Sequence, residues 1–369
     1  MTTSSSSSTL AVFAHFDPGG QVAPHVERYL AALRDAVDRL VVVSTARLDP
    51  AARGTLEGFG DLVERDNVGY DFYSWKTGFD HVRGWDRYDR VVICNDSVVG
   101  PMRPLTEILG EAAPRDVDFW GMTSSNELSP HVQSWFVVFE RDAVGSGLLH
   151  GFWAAMEPVS SRAEVIRRYE VGLSRLLLTA GLRMGTYLRV RTPAAIRAEM
   201  RHRVALQKLP IKDRPPRPTG LRTFRDPRWN PTYVLWDEVF DGRLPFVKLD
   251  VLRDDPYDIG KEEALARLEA AYPAELDGVR AYLDRTRDEF RRLRGLHGID
   301  PVRGVHGSSH GGGAWAVRDA DGDAESGEDT REDADGATGD GRDPGDAGDG
   351  GGDAGGAAAA DDDELAVSR

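Results

Sequence analysis

Five short stretches place carboxylates, amides and hydroxyls beside apolar runs. They are His15-Phe16-Asp17-Pro18-Gly19-Gly20, Asn67-Val68-Gly69-Tyr70-Asp71, Asn95-Asp96-Ser97-Val98-Val99-Gly100-Pro101, Gly121-Met122-Thr123 and His131-Val132-Gln133-Ser134. Asp96 follows the apolar run Val91–Cys94. A carboxylate at the carboxyl end of a strand can hold a hard divalent cation, Mg²⁺ or Mn²⁺, which in turn bridges two phosphates. Asx residues also favour turns, so Asn95 or Asp96 capping a helix near Pro104 accounts for the same residues. Near Asn67 and Asp71, Gly69 lets backbone approach a ligand closely, and Asp71 can accept from a ribose or a base. A tight turn before a helix explains that segment equally well. Asp118, His131 and Glu140 are each able to take a proton from a hydroxyl, and residue type does not rank them.

Residues 197–228 carry ten basic residues (Arg197, Arg201, Arg203, Lys208, Lys212, Arg214, Arg217, Arg222, Arg225 and Arg228) against Glu199, Asp213 and Asp226. In this Pro-rich stretch they read as an exposed basic loop. It can clamp a diphosphate, touch anionic lipid headgroups, or simply remain solvated. The nearby aromatics are Phe224 and Trp229, too few for base stacking, so nucleic acid is not an expected partner.

The elements that must position these residues alternate. Leu10–Phe16 predicts a strand, and Val26, Leu30, Leu33, Val37 and Leu40 mark one face of a helix. Val41–Val43, Leu62-Val63, Val91–Cys94, Asp118–Met122, Trp135–Phe139 and Tyr187–Val190 read as further strands. Helices are predicted over Leu105–Ala112, along the stripe Ile166, Tyr169, Leu173, Leu176 and Leu177, and over Lys261–Tyr272 and Ala274–Leu296 on either side of Pro273. Strands alternating with helices imply an α/β fold, a mostly parallel sheet covered on both faces. In such folds ligands bind beyond the carboxyl ends of the strands, which is where the polar stretches fall.

Composition bounds the rest. Residues 1–9 are a polar, serine-rich lead, residues 10–296 have globular composition, and residues 297–369 form a Gly/Asp/Ala-rich acidic tail. Lead and tail bury too little apolar surface to offset the entropy of ordering and are expected to be disordered. From Val317 to Arg369 eighteen acidic residues stand against four basic ones, so almost all of the formal −15 belongs to the tail. The globular part is near neutral and does not exclude polyanionic ligands. One cysteine, Cys94, excludes an internal disulfide framework and any multi-cysteine metal site. There is no apolar run long enough to span a bilayer and no secretory signal in MTTSSSSSTL, so the expectation is a cytoplasmic protein that meets the inner face of the plasma membrane only peripherally.

Taken in order, the stretches AHFDPGG, NVGYDFYSWKTG, VVICNDSVVGP, DFWGMTSS, HVQSWFVVF and NPTYVLWDEVFDGRLPFVKLDVLRDDP resemble the rhamnan synthesis protein F family of bacterial cell-surface polysaccharide biosynthesis. The resemblance runs from about Leu10 to Pro256. It implies a glycosyltransferase with an A-type nucleotide-binding sheet. The donor would be a nucleotide-sugar, typically dTDP-L-rhamnose, and the acceptor a growing glycan, often lipid-linked. Asn95-Asp96-Ser97 would stand in the place of the aspartate-rich metal motif, with Asp96 the metal ligand and no second acid. Asn67, Asp71 and Lys76 would join them around the donor. Asp118, Trp120, His131 and Gln133 would face the sugar or acceptor, and Asn230, Trp236 and Lys248 would close the site. Transfer would be inverting, with Asp118 the first choice of base, His131 the second, and Lys76 and the basic loop assisting the leaving diphosphate.

Two other readings stand beside this one. A nucleotide-sugar- or glycan-binding partner in polysaccharide assembly needs no turnover, and a single acid in the metal motif suits it. AHFDPGG is also similar to the first motif of zinc-dependent sugar de-N-acetylases, which need a further histidine pair that the sequence does not display.

Overall fold

The computed structural model describes residues 7–110, 113–209, 211 and 229–297, with side chains up to Arg292. All lie in the first of two compact units, residues 1–316. Among the described residues the strands are β1 (Thr9–His15), β2 (Arg39–Ser44), β3 (Asp61–Glu64), β4 (Arg90–Asn95), β5 (Val98–Val99), β6 (Phe119–Gly121), β7 (Ser124–Ser125), β8 (His131–Val132), β9 (Phe136–Phe139), β10 (Met184–Thr186) and β11 (Val247–Lys248). Seven form the central sheet in the order β10-β6-β9-β4-β1-β2-β3. Its pairs β3-β2, β2-β1, β1-β4 and β6-β10 are parallel, while β9 runs antiparallel to both neighbours. The α/β fold with a mainly parallel sheet is as the alternating pattern predicts.

Burial explains why β1 reads as a continuous apolar run, since every residue from Thr9 to His15 is buried. Successive side chains leave opposite faces. Ala11 and Phe13 join Val42, Val92, Cys94 and Phe136 on one side. Leu10, Val12 and Ala14 join Val41, Val43, Ile93 and Val137 on the other. Helix Pro24–Ala36 covers the first face with Val26, Tyr29, Leu30 and Leu33. It stops before Leu40, which the periodicity had placed on the helix but which begins the buried part of β2. Helix Tyr70–His81 covers the second face, and Gly78 lets it close on Val12, where a Cβ would clash.

Three expectations need correction. Tyr187–Val190 is not a strand: the edge strand is β10, whose Gly185 pairs with Trp120. The second C-terminal helix starts at Val279 rather than Ala274, because Gly278 turns the chain at φ +76°. The basic segment is not wholly a loop. Arg197, Arg201, Arg203 and Lys208 lie on helix Thr192–Lys208, buried along Ala194, Ala198, His202, Ala205 and Leu206. Lys212, Arg214, Arg217, Arg222, Arg225 and Arg228 lie outside the described residues, as do residues 1–6 of the lead and the tail beyond His297.

Candidate functional site

From β1 the chain first builds outward to β2 and β3, then returns to the other side of β1 as β4. The connections after β1 and β4 therefore leave in opposite directions and open a crevice at their carboxyl ends. Phe16 and Asp96 meet there. The Phe16 N–H donates to the Asp96 carboxylate at 2.6 Å, and the Asp96 N–H donates to the Ala14 carbonyl at 3.3 Å. A cleft of about 350 Å³ opens above them, within the usual range of small-ligand sites. Asn67, Asp71, Asn95, Asp96, Ser97, Gln133, Glu170, Asn230 and Lys248 all line it.

A polar chain forms one part of its wall. Asn95 Nδ2 donates to Asp71 Oδ2 at 2.7 Å, and its Oδ1 accepts from the Ser97 N–H and hydroxyl. The Ser97 hydroxyl accepts from Lys248 Nζ at 2.6 Å. Distant segments are brought together to make this chain. Trp75 Nε1 donates to the Cys94 carbonyl at 3.0 Å, locking helix Tyr70–His81 against β4. β11 pairs antiparallel with β5, setting Lys248 opposite Val98. The turn before the helix is held by Arg65, whose guanidinium donates to the carbonyls of Asp66, Val68 and Tyr70 and to the Ser74 hydroxyl. Gly69 and Tyr70 both have positive φ, +72° and +57°. In a bulky residue such as Tyr70 that conformation costs on the order of 1–3 kcal/mol, a strain found mainly at functional sites. Arg65 was missed in the sequence, where nothing marks a backbone-holding arginine.

Electrostatically the cleft is unbalanced. Burial pushes the Asp96 carboxyl up to about 8; the Phe16 N–H opposes the rise, and the negative charges of Asp71 and Asp17 add to it. Burial also holds the Lys248 ammonium below its ordinary value, against the pull of Asp250. The charges of Asp96 and Lys248 are thus each dearer here than in water and each open to compensation by a ligand.

On the opposite wall the chain from Arg162 to Thr179 contains a π-helical turn, Ile166–Glu170, between two α-helical stretches. Such turns often mark functional sites. This one presents Glu170, which accepts from the Ser134 N–H at 2.8 Å and from the Ser134 hydroxyl. His131 lies behind it on the β7-β8 hairpin, its Nε2 3.6 Å from Glu170 and its Nδ1 against the Ser129 carbonyl at 2.7 Å. Burial alone would lower the His131 imidazole, but Glu170 outweighs it and leaves it above its ordinary value. Burial would raise Glu170, and His131 and Ser134 hold it below. Gln133 Oε1 accepts from the hydroxyls of Thr123 at 2.7 Å and Thr232 at 2.5 Å, pinning the Asn230 turn to the sheet. The sequence stripe gave no sign of Glu170, because a π turn shifts one residue off the helical period.

Several expected site residues lie elsewhere. Asp118 stands at the amino end of β6, the far end of the sheet, where its carboxylate is held by the Arg183 N–H at 2.7 Å and the Arg183 guanidinium at 2.9 Å. It does not line the cleft. Trp120 is buried in the core, its Nε1 donating to Glu140 at 3.0 Å. Trp236 is likewise buried and packs edge-on against Phe240. Lys76 lies roughly 140° around the helix from Asp71 and pairs with Asp80 at 2.6 Å. His131 reaches the cleft only through Glu170. The four described basic residues of segment 197–228 are also engaged: Arg197 and Arg201 pair with Asp237 at 3.2 and 2.7 Å, Arg203 with Glu199 at 2.6 Å, and Lys208 with Asp258. None of the four lines the cleft.

The zinc site of the de-N-acetylase reading is not built. Asp17 is committed to Arg285 at 2.7 Å, His15 Nδ1 to the Ser44 hydroxyl at 2.9 Å, and among the described residues no three His, Cys, Asp or Glu converge.

Comparison with known families bears on the region that carries most of this cleft. Residues 40–216 match the family model of rhamnan synthesis protein F. The match contains Asn67, Asp71, Asn95, Asp96, Ser97, Gln133 and Glu170, so the resemblance seen in the motifs holds there. The AHFDPGG loop and the segment bearing Asn230 and Lys248 lie outside those residues. The virulence protein VirA of Vibrio anguillarum is 28% identical over 205 residues, 53% of this chain and 63% of its own length. The uncharacterized protein y4gN of Sinorhizobium fredii is 25% identical over 142 residues, 37% of each chain. The chain thus spans less than two thirds of the curated relatives it matches. Among solved structures, glucosyl-3-phosphoglycerate synthase from Mycobacterium tuberculosis, in complex with Mn²⁺, UDP and glucosyl-3-phosphoglycerate, aligns at 9% identity and a TM-score of 0.28. That alignment covers 37% of this chain and 58% of that one. A putative glucose-1-phosphate thymidylyltransferase from Bacillus anthracis aligns at 9% identity and 0.33, over 48% and 87%.

Proposed function

We propose that the protein is a glycosyltransferase that moves a sugar from a nucleotide-activated donor, dTDP-rhamnose by family, to a glycan or lipid-linked acceptor with inversion. The observation that carries this reading is the cleft at the β1/β4 switch point, where Asp96, within the residues matched by the rhamnan synthesis protein F family, faces the same space as Lys248, which lies outside them. Lys248 and Arg162 line the cleft with no carboxylate in salt-bridge range among the described residues, and they supply positive charge for a diphosphate. Asp96, with Asp71 near it, would hold a divalent cation, whose charge would stabilise the departing diphosphate. A single strong donor of this kind suits a cation that takes its remaining ligands from phosphate and water.

In transfer, the acceptor hydroxyl oxygen forms the new bond at the anomeric carbon as the bond to the diphosphate oxygen breaks. The hydroxyl proton passes to a cleft carboxylate. Our choice for this is Glu170, which lines the cleft with His131 Nε2 3.6 Å behind it. The test is calorimetry of the full chain with a panel of nucleotide-sugars, with and without Mg²⁺ or Mn²⁺, followed by donor hydrolysis without acceptor. The expected result is one donor bound in a cation-dependent way and slowly hydrolysed. Glu170→Gln should then lower turnover by about 10²- to 10⁴-fold while leaving donor affinity nearly unchanged. Binding without any hydrolysis or transfer would favour an assembly partner instead, and no binding to any donor would sink the reading.

A further inference from the structure

Helix Thr192–Lys208 is apolar on two sides. Its inner side buries Ala194, Ala198, His202, Ala205 and Leu206. Its outer side carries Ile196, Met200 and Val204, one turn apart, at 46, 63 and 52% exposure. Exposed large apolar side chains number only seven among the described residues, and five of them belong to one stretch of chain: Val190, these three, and Ile211 at 82%. Scattered exposed apolar residues need no explanation, but a continuous stripe along one helix does. Basic residues frame the stripe. Arg189 and Arg191 precede the helix, exposed and without a carboxylate in salt-bridge range among the described residues. Arg203 lies beside the stripe.

We infer that the outer side of helix Thr192–Lys208 docks on an anionic membrane surface. An interfacial helix needs apolar side chains to enter the acyl boundary and cations to meet the headgroups, and both are present on this face. The local charge favours an anionic lipid surface over the same face of a second copy, since two faces framed by Arg189 and Arg191 repel each other. The inner side abuts a turn of the cleft wall: Arg201 donates to the Val234 carbonyl, and Thr232 and Asn230 of the same turn line the site. Docking would therefore bring a membrane within one helix thickness of the turn that carries those residues. The inference stands on the surface alone and does not depend on the transfer reading.

The test is flotation of the full-length protein with vesicles of phosphatidylcholine alone or mixed with phosphatidylglycerol, at low and high salt. Binding to the anionic vesicles is expected, weakening with salt. The combined variant Ile196→Ser, Met200→Ser, Val204→Ser should lower the partition constant at least roughly tenfold with an unchanged melting curve. The pair Arg189→Glu, Arg191→Glu should lower it as well and flatten the salt dependence, giving an independent reading if the triple variant does not fold. Failure of the parent protein to bind anionic vesicles, or equal binding by the folded triple variant, would overturn the inference. So would a lipid-free dimer that the triple variant abolishes, since a second copy would then cover the stripe.

Discussion

The two ends of the central sheet treat charge in opposite ways. At the amino end of β6, Asp118 is matched to Arg183, and nearby Glu140 to Arg90 at 3.0 Å. There acid meets base, and the grooved surface that Arg90, Asp118, Glu140 and Arg183 line is internally neutralised. At the carboxyl end, Asp71 is held by an amide, Asp96 by a backbone N–H, and Lys248 by a hydroxyl. Neutral donors orient these three groups, and among the described residues no opposite charge lies in salt-bridge range of them, although Asp17 at the same end is paired with Arg285. A paired charge is a stabilising device at best worth little at a surface, whereas an oriented, uncancelled one is a means of binding. The same sheet thus carries a structural end and a working end, and they differ in partners more than in residue types.

The largest test of that contrast is Asp96→Asn. It should weaken cation-dependent donor binding by at least about 100-fold, since even partners one shell removed from a metal commonly cost 10–100-fold; calorimetry with and without Mn²⁺ checks it. The variant also probes the charge itself, with no ligand present. The folded protein holds the Asp96 proton up to about pH 8, whereas an unfolded chain loses it near the ordinary 3.8. The contribution to stability is therefore complete below that lower value and is lost as pH rises through about 8. Asparagine stays neutral throughout. Melting curves should show wild type losing ground to Asp96→Asn between pH 5 and pH 8 (roughly, by this linkage). A difference that does not change with pH would mean that Asp96 is already compensated, and the contrast between the two ends would fail.

Lys248→Met comes next. Methionine keeps the stem's packing against β5 and removes the charge. Donor affinity should fall about 10- to 100-fold, the range of a charge-assisted hydrogen bond, with little change in melting temperature. A large loss of stability with unchanged binding would assign Lys248 to the β5-β11 junction instead.

How far these two ends were legible in the sequence follows from the same physics. The strands of the sheet's parallel half were plain, because strands covered on both faces must be apolar throughout, as Val91–Cys94 is. Strand-end position then pointed to Asn67, Asp71 and Asn95-Asp96-Ser97, and all five line the cleft. Asp118 entered the expected site through the family resemblance, although its place at the start of the predicted strand Asp118–Met122 already sets it at the amino end of that strand. Helix Thr192–Lys208 was hidden by its arginines: Arg197 and Arg201 look solvated until Asp237, some 40 residues on, folds against them. Glu170 was hidden by the π turn. The visible part was what local periodicity sets, and the missed part depended on contacts between segments far apart in the chain.

The smallest expected effect is the most pointed. Asp118→Asn should leave donor binding and turnover within about twofold of wild type, because catalytic proton transfer requires hydrogen-bond reach to the substrate, and Asp118 is turned to Arg183 at the other end of the sheet. Asparagine can still accept from the Arg183 N–H, so only a modest fall in melting temperature is expected. That fall should shrink further in high salt, where an exposed guanidinium is screened in the parent too. Steady-state kinetics and melting curves on the same preparation separate the outcomes. Loss of turnover with an intact fold would mean that the amino end of the sheet takes part in the reaction, and that pairing with arginine does not mark a carboxylate as structural. Unchanged turnover would leave the chemistry with the carboxyl end of the sheet.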